Sequence, residues 1–145
     1  MHQMAYKGDL RQLQAKISQD ERRLTSTDDS GRTVMHWACS GGHANILSWL
    51  LEQPGSNPDV RDDSRWTPLI IASSAGHEDC VHLLLGAGAK VDACTDQGRS
   101  SLLYACSKNH QSISKKLLDE GANINLQDKL GASPLHRASG CGHLE

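Results

Sequence analysis

Apolar residues along the chain come in short, regularly spaced pairs rather than long runs. Ile46, Leu47, Leu50 and Leu51 fall at i, i+1, i+4 and i+5, and Cys80, Val81, Leu84 and Leu85 repeat that spacing. Such spacing lays one apolar stripe along an amphipathic helix. Each stripe follows a Gly-His or Asn-His pair: Gly42-His43, Gly76-His77 and Asn109-His110, with Gly142-His143 near the end of the chain. Upstream of these pairs stand Thr33-Val34-Met35-His36-Trp37-Ala38, Thr67-Pro68-Leu69-Ile70-Ile71-Ala72, Ser100-Ser101-Leu102-Leu103-Tyr104-Ala105 and Ser133-Pro134-Leu135-His136-Arg137-Ala138, at intervals of 34, 33 and 33 residues. A pattern recurring at a fixed interval predicts a stack of like units, each made of two helices and a connecting loop.

The individual columns have physical reasons. Thr33, Thr67, Ser100 and Ser133 are hydroxyl N-caps for a first helix, and Pro68 and Pro134 fall at its first position, where a missing N–H costs nothing. Ala38, Ala72, Ala105 and Ala138 are small enough for neighbouring first helices to approach closely. Gly42 and Gly76 permit a positive φ between the helices, and Asn109 tolerates the same geometry. The stretches 28–32, 62–66, 95–99 and 128–132 are expected to project as β-turn fingers. Met4 to Gly8, with Leu10, Leu13 and Ile17 behind them and polar Lys7, Arg11, Gln12 and Lys16 outside, reads as a degenerate capping unit.

This period and the T-P-L-H-x-A pattern resemble the ankyrin repeat. The resemblance implies an all-α solenoid of helix-turn-helix units with β-turn finger loops, about four repeats plus a partial fifth. The expected organisation is one array: a capping repeat at 1–27, repeats at 28–61, 62–94 and 95–127, and a partial repeat at 128–145. Because the chain stops before a second helix could follow Gly142-His143, leaving Leu135 uncovered, it reads as a fragment or short isoform of a longer array. Amides of 134–140 are then expected to be less protected than those of 68–74.

Composition narrows the function classes. Only 3% of the residues are aromatic and none is Phe, so the core is built from Leu, Ile, Ala and Val in thin layers. Fifteen basic and seventeen acidic side chains leave a net charge of −2, which gives no bulk attraction for nucleic acid or an anionic membrane. No apolar run approaches the roughly 20 residues that span a bilayer, and the first residues lack a secretory signal's pattern. Five cysteines without a C-x-x-C pair suit neither a disulfide framework nor a zinc ribbon, and point to a reducing cytoplasm or nucleus. Phosphate-loop, dinucleotide, zinc-protease and nucleophile-elbow motifs do not occur. His36 and Cys39 at i, i+3 could be offered as a thiol–imidazole pair, but His36 sits where a histidine bonds neighbouring loop backbone and Cys39 shares a tight interhelical column with Ser73 and Cys106. The Gly-His histidines recur once per unit, which argues for a role in the turn and against convergence on one metal. No enzyme activity, cofactor or metal is expected.

What remains is a strip on the inner face. The residue before each capping hydroxyl is Arg32, Trp66, Arg99 or Ala132, and a second column reads Trp37, Ile71, Tyr104 and Arg137. Trp and Arg are enriched in binding hot spots. With Lys108 and the finger acids Asp29 and Asp63 they form a candidate partner-binding strip. The structural alternative is that Trp37 packs beneath a finger and the arginines pair with acids such as Asp28 or Asp62.

More specific words, including Ala5-Tyr6, His36-Trp37-Ala38-Cys39-Ser40, Trp66-Thr67-Pro68-Leu69 and Ser107-Lys108-Asn109, resemble the gankyrin family of proteasomal non-ATPase regulatory subunits, whose members are assembly chaperones of the proteasome regulatory particle. The resemblance implies a monomeric adaptor that grips the C-terminal domain of a proteasomal ATPase along its concave face. Arg32 and Lys108 match family positions that meet acidic residues, and Trp37, Asp63 and Trp66 match neighbouring contact positions. The family's L-x-C-x-E segment does not occur here, so pocket-protein binding is not expected. The alternatives are an ankyrin-type cyclin-dependent kinase inhibitor or a general scaffold. In that inhibitor family the first helix of the second unit is reduced to a turn, whereas Thr33 to Ser40 keeps a full helix signature. Arg32 and Lys108 are both expected to be exposed, so that reversing their charges removes binding and leaves the stack folded.

Overall fold

The computed structural model describes residues 2–133. They form α1 (His2–Lys7), α2 (Leu10–Gln19), a 3-10 turn (Glu21–Leu24), α3 (Val34–Gly41), α4 (Ala44–Glu52), α5 (Pro68–Ala75), α6 (Glu78–Gly86), α7 (Ser101–Ser107) and α8 (Gln111–Asp119). Consecutive helices pack as pairs, α1 on α2 through α7 on α8. The first members, α1, α3, α5 and α7, stack in one row, and α4, α6 and α8 stack in a second. This is the expected all-α solenoid. The apolar stripes meet between the rows: Ile46, Leu47 and Leu50 of α4, Cys80, Val81 and Leu84 of α6, and Ile113 and Leu117 of α8 are buried, with Ala38, Ala72 and Ala105 at the close contacts of the first row. Leu13 and Ile17 of α2 extend the same core.

The ends of the helices follow from the capping residues. Thr67 accepts the backbone N–H of Ile70, and Ser100 that of Leu103, satisfying donors that a helix start leaves unpaired. Pro68 opens α5. At Thr33 the traffic runs both ways in a capping box: the Thr33 side chain faces the His36 amide, and the Thr33 backbone N–H donates to Nδ1 of His36 at 3.0 Å. The caps of α3 and α5, Gly42 and Gly76, take φ of 74° and 82°, and Asn109 takes 60° at the same place.

The recurrent histidines do more than shape the turn. Nε2 of His43 donates to the carbonyl of Tyr6 at 2.6 Å, His77 to Ser40 at 3.1 Å and His110 to Ser74 at 3.3 Å. Each carbonyl lies in the last turn of the preceding first helix, where backbone acceptors have no partner within the helix. The histidines therefore staple each helix pair to the one before it. Their rings lie over the preceding glycine, so that a Cβ on Gly42 would stand 2.6 Å from Nδ1 of His77.

The fingers show one departure from their own rule. Gly31, Gly98 and Gly131 carry the positive φ of the turn, but the second finger places Arg65 there, with φ of 66°. A left-handed conformation costs a side-chain-bearing residue about 1–2 kcal/mol, part of which glycine returns as chain entropy. Arg65→Gly is accordingly expected to stabilise the array by about 0.5–1 kcal/mol in urea unfolding; a loss of stability would show that the Arg65 side chain makes a contact worth more than the strain.

Pro134, Leu135, His136, Arg137, Ala138, Cys141 and His143, and with them the helix after Ser133 and the fraying expected at 134–140, lie outside the described residues.

Candidate functional site

The candidate strip is built on the fingers, and the fingers are built on their first residue. Asp28 Oδ1 accepts the backbone N–H of Ser30 and of Arg32, Asp62 Oδ1 those of Ser64 and Trp66, and Asp128 Oδ1 those of Leu130 and Ala132, all at 2.9–3.0 Å. Thr95 Oγ1 does the same for Gln97 and Arg99 at 3.3 Å. Short polar side chains that bond backbone two and four residues on hold such turns without help from elsewhere. Neighbouring fingers are then joined edge to edge, the N–H of Asp63 donating to Ser30 O, that of Asp96 to Ser64 O and that of Lys129 to Gln97 O.

This scaffold aims the fifth residue of each finger at the first residue of the next. Arg32 Nε lies 3.0 Å from Asp62 Oδ2, and Arg99 Nε lies 3.8 Å from Asp128 Oδ2. Between them Trp66 holds the register whose next finger begins with Thr95, which has no carboxylate, and its ring packs on Tyr104 with centroids 4.8 Å apart. The rule is arginine where the next finger begins with aspartate, and tryptophan where it does not. A hydrogen bond to Tyr104 also raises the pKa of Arg99 above the ordinary arginine value.

Trp37 is engaged on three sides. Its Nε1–H donates to Asp28 Oδ2 at 2.7 Å, the Arg32 guanidinium stands 5.3 Å over its ring, and Tyr6 meets it edge-on at 5.9 Å. Burial pushes the Asp28 carboxyl up, but bonds from the Arg32 amide, the Trp37 indole and the Ser30 amide outweigh it and hold the pKa below the usual value. Lys108 is exposed and donates to Ser74 Oγ at 2.9 Å. Asp63 is exposed on the second fingertip.

The structure therefore divides the expected residues. Arg32 and Trp37 with Asp28 and Asp62 form an internal lattice between fingers. Arg99 stands near Asp128 and bonds Tyr104, the Trp66–Tyr104 pair is half-buried, and Lys108 and Asp63 are exposed. Arg32 is not the open cation expected from the sequence: its side chain is 28% exposed, against 3% for its partner Asp62. Charge reversal there would set two carboxylates together and disturb the fold. Arg137 lies outside the described residues. Sequence reasoning passed over Asp128 as a partner and Tyr6 as a surface residue; the alternation of Arg and Trp with Asp and Thr one finger later carried the first signal. The thiol–imidazole reading has no geometry behind it, since His36 uses Nδ1 on Thr33 and Nε2 on the Trp66 carbonyl, and burial pushes the Cys39 thiol well up. Among the described residues no three His, Cys, Asp or Glu side chains gather as a metal site would need, and no helix is long and apolar enough to cross a membrane.

Comparison with known proteins agrees with the repeat pattern. The family model for ankyrin repeats (3 copies) matches residues 1–93 and 83–145. An ankyrin repeat-containing protein of Schizosaccharomyces pombe is 43% identical over 60 residues, 41% of this chain and 26% of that protein. The human 26S proteasome non-ATPase regulatory subunit 10 is 44% identical over 65 residues, 45% of this chain and 28% of the human protein. The probable 26S proteasome regulatory subunit p28 of Saccharomyces cerevisiae is 32% identical over 149 aligned positions, which take in 100% of this chain and 65% of the yeast protein. The chain thus spans less than two thirds of each of these relatives.

Proposed function

The chain belongs to the ankyrin-repeat family, and from that premise we propose that it is a non-catalytic adaptor of the proteasome, an assembly chaperone of the regulatory particle that holds the C-terminal domain of a proteasomal ATPase against its fingers and first helices. The observation that carries this reading is the similarity to p28 along the whole chain, supported by the shorter match to regulatory subunit 10. The surface suits the task. Trp66 and Tyr104 form a half-buried ring pair on a rigid scaffold, and large rings held in place bury area at little entropic cost. Lys108 supplies a cation one turn beyond Tyr104, and Asp63 an anion at the tip of the finger that carries Trp66. Arg32 contributes mainly by keeping fingers in register, because its charge already meets Asp62 at 3.0 Å, and Arg99, 3.8 Å from Asp128, does so more loosely.

Titration calorimetry of the full chain against the C-terminal domain of each proteasomal ATPase tests the proposal. Wild type is expected to bind one of them, and Trp66→Ala together with Lys108→Glu to weaken that binding about 30-fold or more, with helical circular dichroism retained. Binding to none of the domains overturns the proteasomal reading. Capture of a cyclin-dependent kinase in its place would move the adaptor to the alternative partner, although α3 is a full helix rather than the turn that resemblance to the inhibitor family implies. Unchanged affinity in the double variant would move the site away from these residues.

A further inference from the structure

Thr25 stands where the later helix pairs carry an acid. It lies three residues ahead of the finger beginning at Asp28, and the residues three ahead of the fingers at Asp62 and Thr95 are Asp59 and Asp92. Asp59 Oδ1 accepts the backbone N–H of Lys90 at 2.8 Å, and Asp92 Oδ1 that of Asn123 at 2.9 Å. Each carboxylate thus ties its own loop to the following one. Lys90 and Asn123 stand five residues ahead of their fingers, and in the second finger that register falls on Asn57. Thr25, Ser56 and Asn57 line one cavity of about 40 Å³. Ser56 Oγ is buried there with no hydrogen-bond partner among the described residues, while the Thr25 hydroxyl bonds at 3.4 Å to the carbonyl of Arg22. The first junction places the Asn57 backbone and the unpartnered Ser56 hydroxyl on the same cavity as Thr25, but the side chain at the acid's position is neutral and short.

The same threonine is presented for modification. Thr25, Ser26 and Thr27 are all exposed and follow a 3-10 turn with no buried residue. Arg22 and Arg23 stand three and two residues before the Thr25 hydroxyl. The Arg22 side chain is 91% exposed and makes only a surface pair with Asp20 at 3.2 Å, so an acidic subsite of an enzyme can take its guanidinium at little cost. Opening this turn for an extended binding mode releases the Thr25 bond to Arg22 O, the His2 bond to the Ser26 carbonyl and the half-buried Leu24 side chain at the edge of the core, with no fully buried residue among them.

We propose that Thr25 is a phosphorylation site for an arginine-directed protein kinase, and that its phosphate supplies at the first junction the acceptor that Asp59 and Asp92 supply at the next two. In the transfer Thr25 Oγ attacks the γ-phosphorus of ATP. The Oγ–P bond forms as the bond to the β-phosphate oxygen breaks, ADP leaves with that electron pair, and the hydroxyl proton passes to the kinase's carboxylate base. The product carries nearly two negative charges and three acceptor oxygens, within the same cavity wall as the Asn57 backbone and the Ser56 hydroxyl and beside Arg22 and Arg23. This inference does not depend on the adaptor reading.

The test uses the full chain with the catalytic subunit of cyclic-AMP-dependent protein kinase as an arginine-directed probe. One phosphoryl group by intact mass is expected, kept in Thr25→Ser, lost in Thr25→Val, and transferred with kcat/KM lower by at least about tenfold when Arg22 and Arg23 are both Ala. The phosphorylated chain and unmodified Thr25→Asp are both expected to melt roughly 3–5 °C above wild type. Incorporation that persists in Thr25→Val, or phosphorylation of a peptide of residues 19–29 but not of the native chain, overturns the site. Equal or lower melting of the phosphorylated chain overturns its role as acceptor.

Discussion

Replacing Asp62 with alanine is expected to lower the unfolding free energy by about 3 kcal/mol, although the residue lies in a loop. Its carboxylate is buried and accepts the N–H of Ser64, the N–H of Trp66 and Nε of Arg32, all at 2.9–3.0 Å. Truncation leaves two backbone donors and a half-buried guanidinium without their acceptor, and an orphaned partner costs more than the bond itself contributes. Asp62→Asn keeps an oxygen for the two amides and loses only the charge opposite Arg32, so its loss should be near half as large. Asp29→Ala, on the exposed tip of the neighbouring finger, should stay within about 0.5 kcal/mol of wild type. Urea unfolding at constant m separates the three. If Asp62→Ala behaves like Asp29→Ala, the finger lattice does not depend on its acids, and Arg32 and Arg99 return to the list of residues available to a partner.

That lattice marks where sequence reading stops. The helices were legible because their causes are local: a hydroxyl three residues before the amide it caps at Thr67 and Ser100, a proline at the one helical position that tolerates it, a glycine or asparagine where φ must be positive. The stack was legible because those causes recur. Partners one repeat apart were less so. Arg32 and Asp62 are 30 residues apart in sequence, and an arginine that looks like a free cation in its own finger is neutralised by the next. The Gly-His histidines were seen as turn residues because the turn is local, whereas the carbonyls they reach are 36 or 37 residues upstream. Trp66 and Tyr104 were chosen from two repeat columns and their residue types, and only the packing shows that their rings meet while Trp37 is held by Asp28, Arg32 and Tyr6. In a solenoid the neighbour in space is the residue one period away, so site reasoning has to be carried out across repeats from the start.

His36 offers the second large effect, and its sign can be worked out. Burial holds its pKa below the ordinary 6.5, with Arg32 adding to the shift and the Trp66 carbonyl and Asp62 opposing it. Nδ1 accepts from the Thr33 amide while Nε2 donates to Trp66 O at 2.9 Å, so the folded ring is neutral and cannot take a second proton without losing the Thr33 bond. Above the unfolded value the ring is neutral in both states and its contribution is complete. As pH falls below about 6.5 the unfolded chain binds the proton first, and stability is lost until the lowered folded pKa is passed. The next two repeats put Ile70 and Leu103 in this column, so His36→Leu fits the packing but orphans the Thr33 N–H and the Trp66 carbonyl. At about pH 8 that variant should be roughly 2 kcal/mol less stable than wild type. The gap should narrow steadily toward about pH 5, because only wild type loses the imidazole's contribution. Taking the difference between the two proteins cancels the other histidines and the carboxylates, which both share. A gap that stays constant with pH would mean that His36 is protonated as readily in the folded chain as in the unfolded one, and that the bond across to the second finger survives protonation.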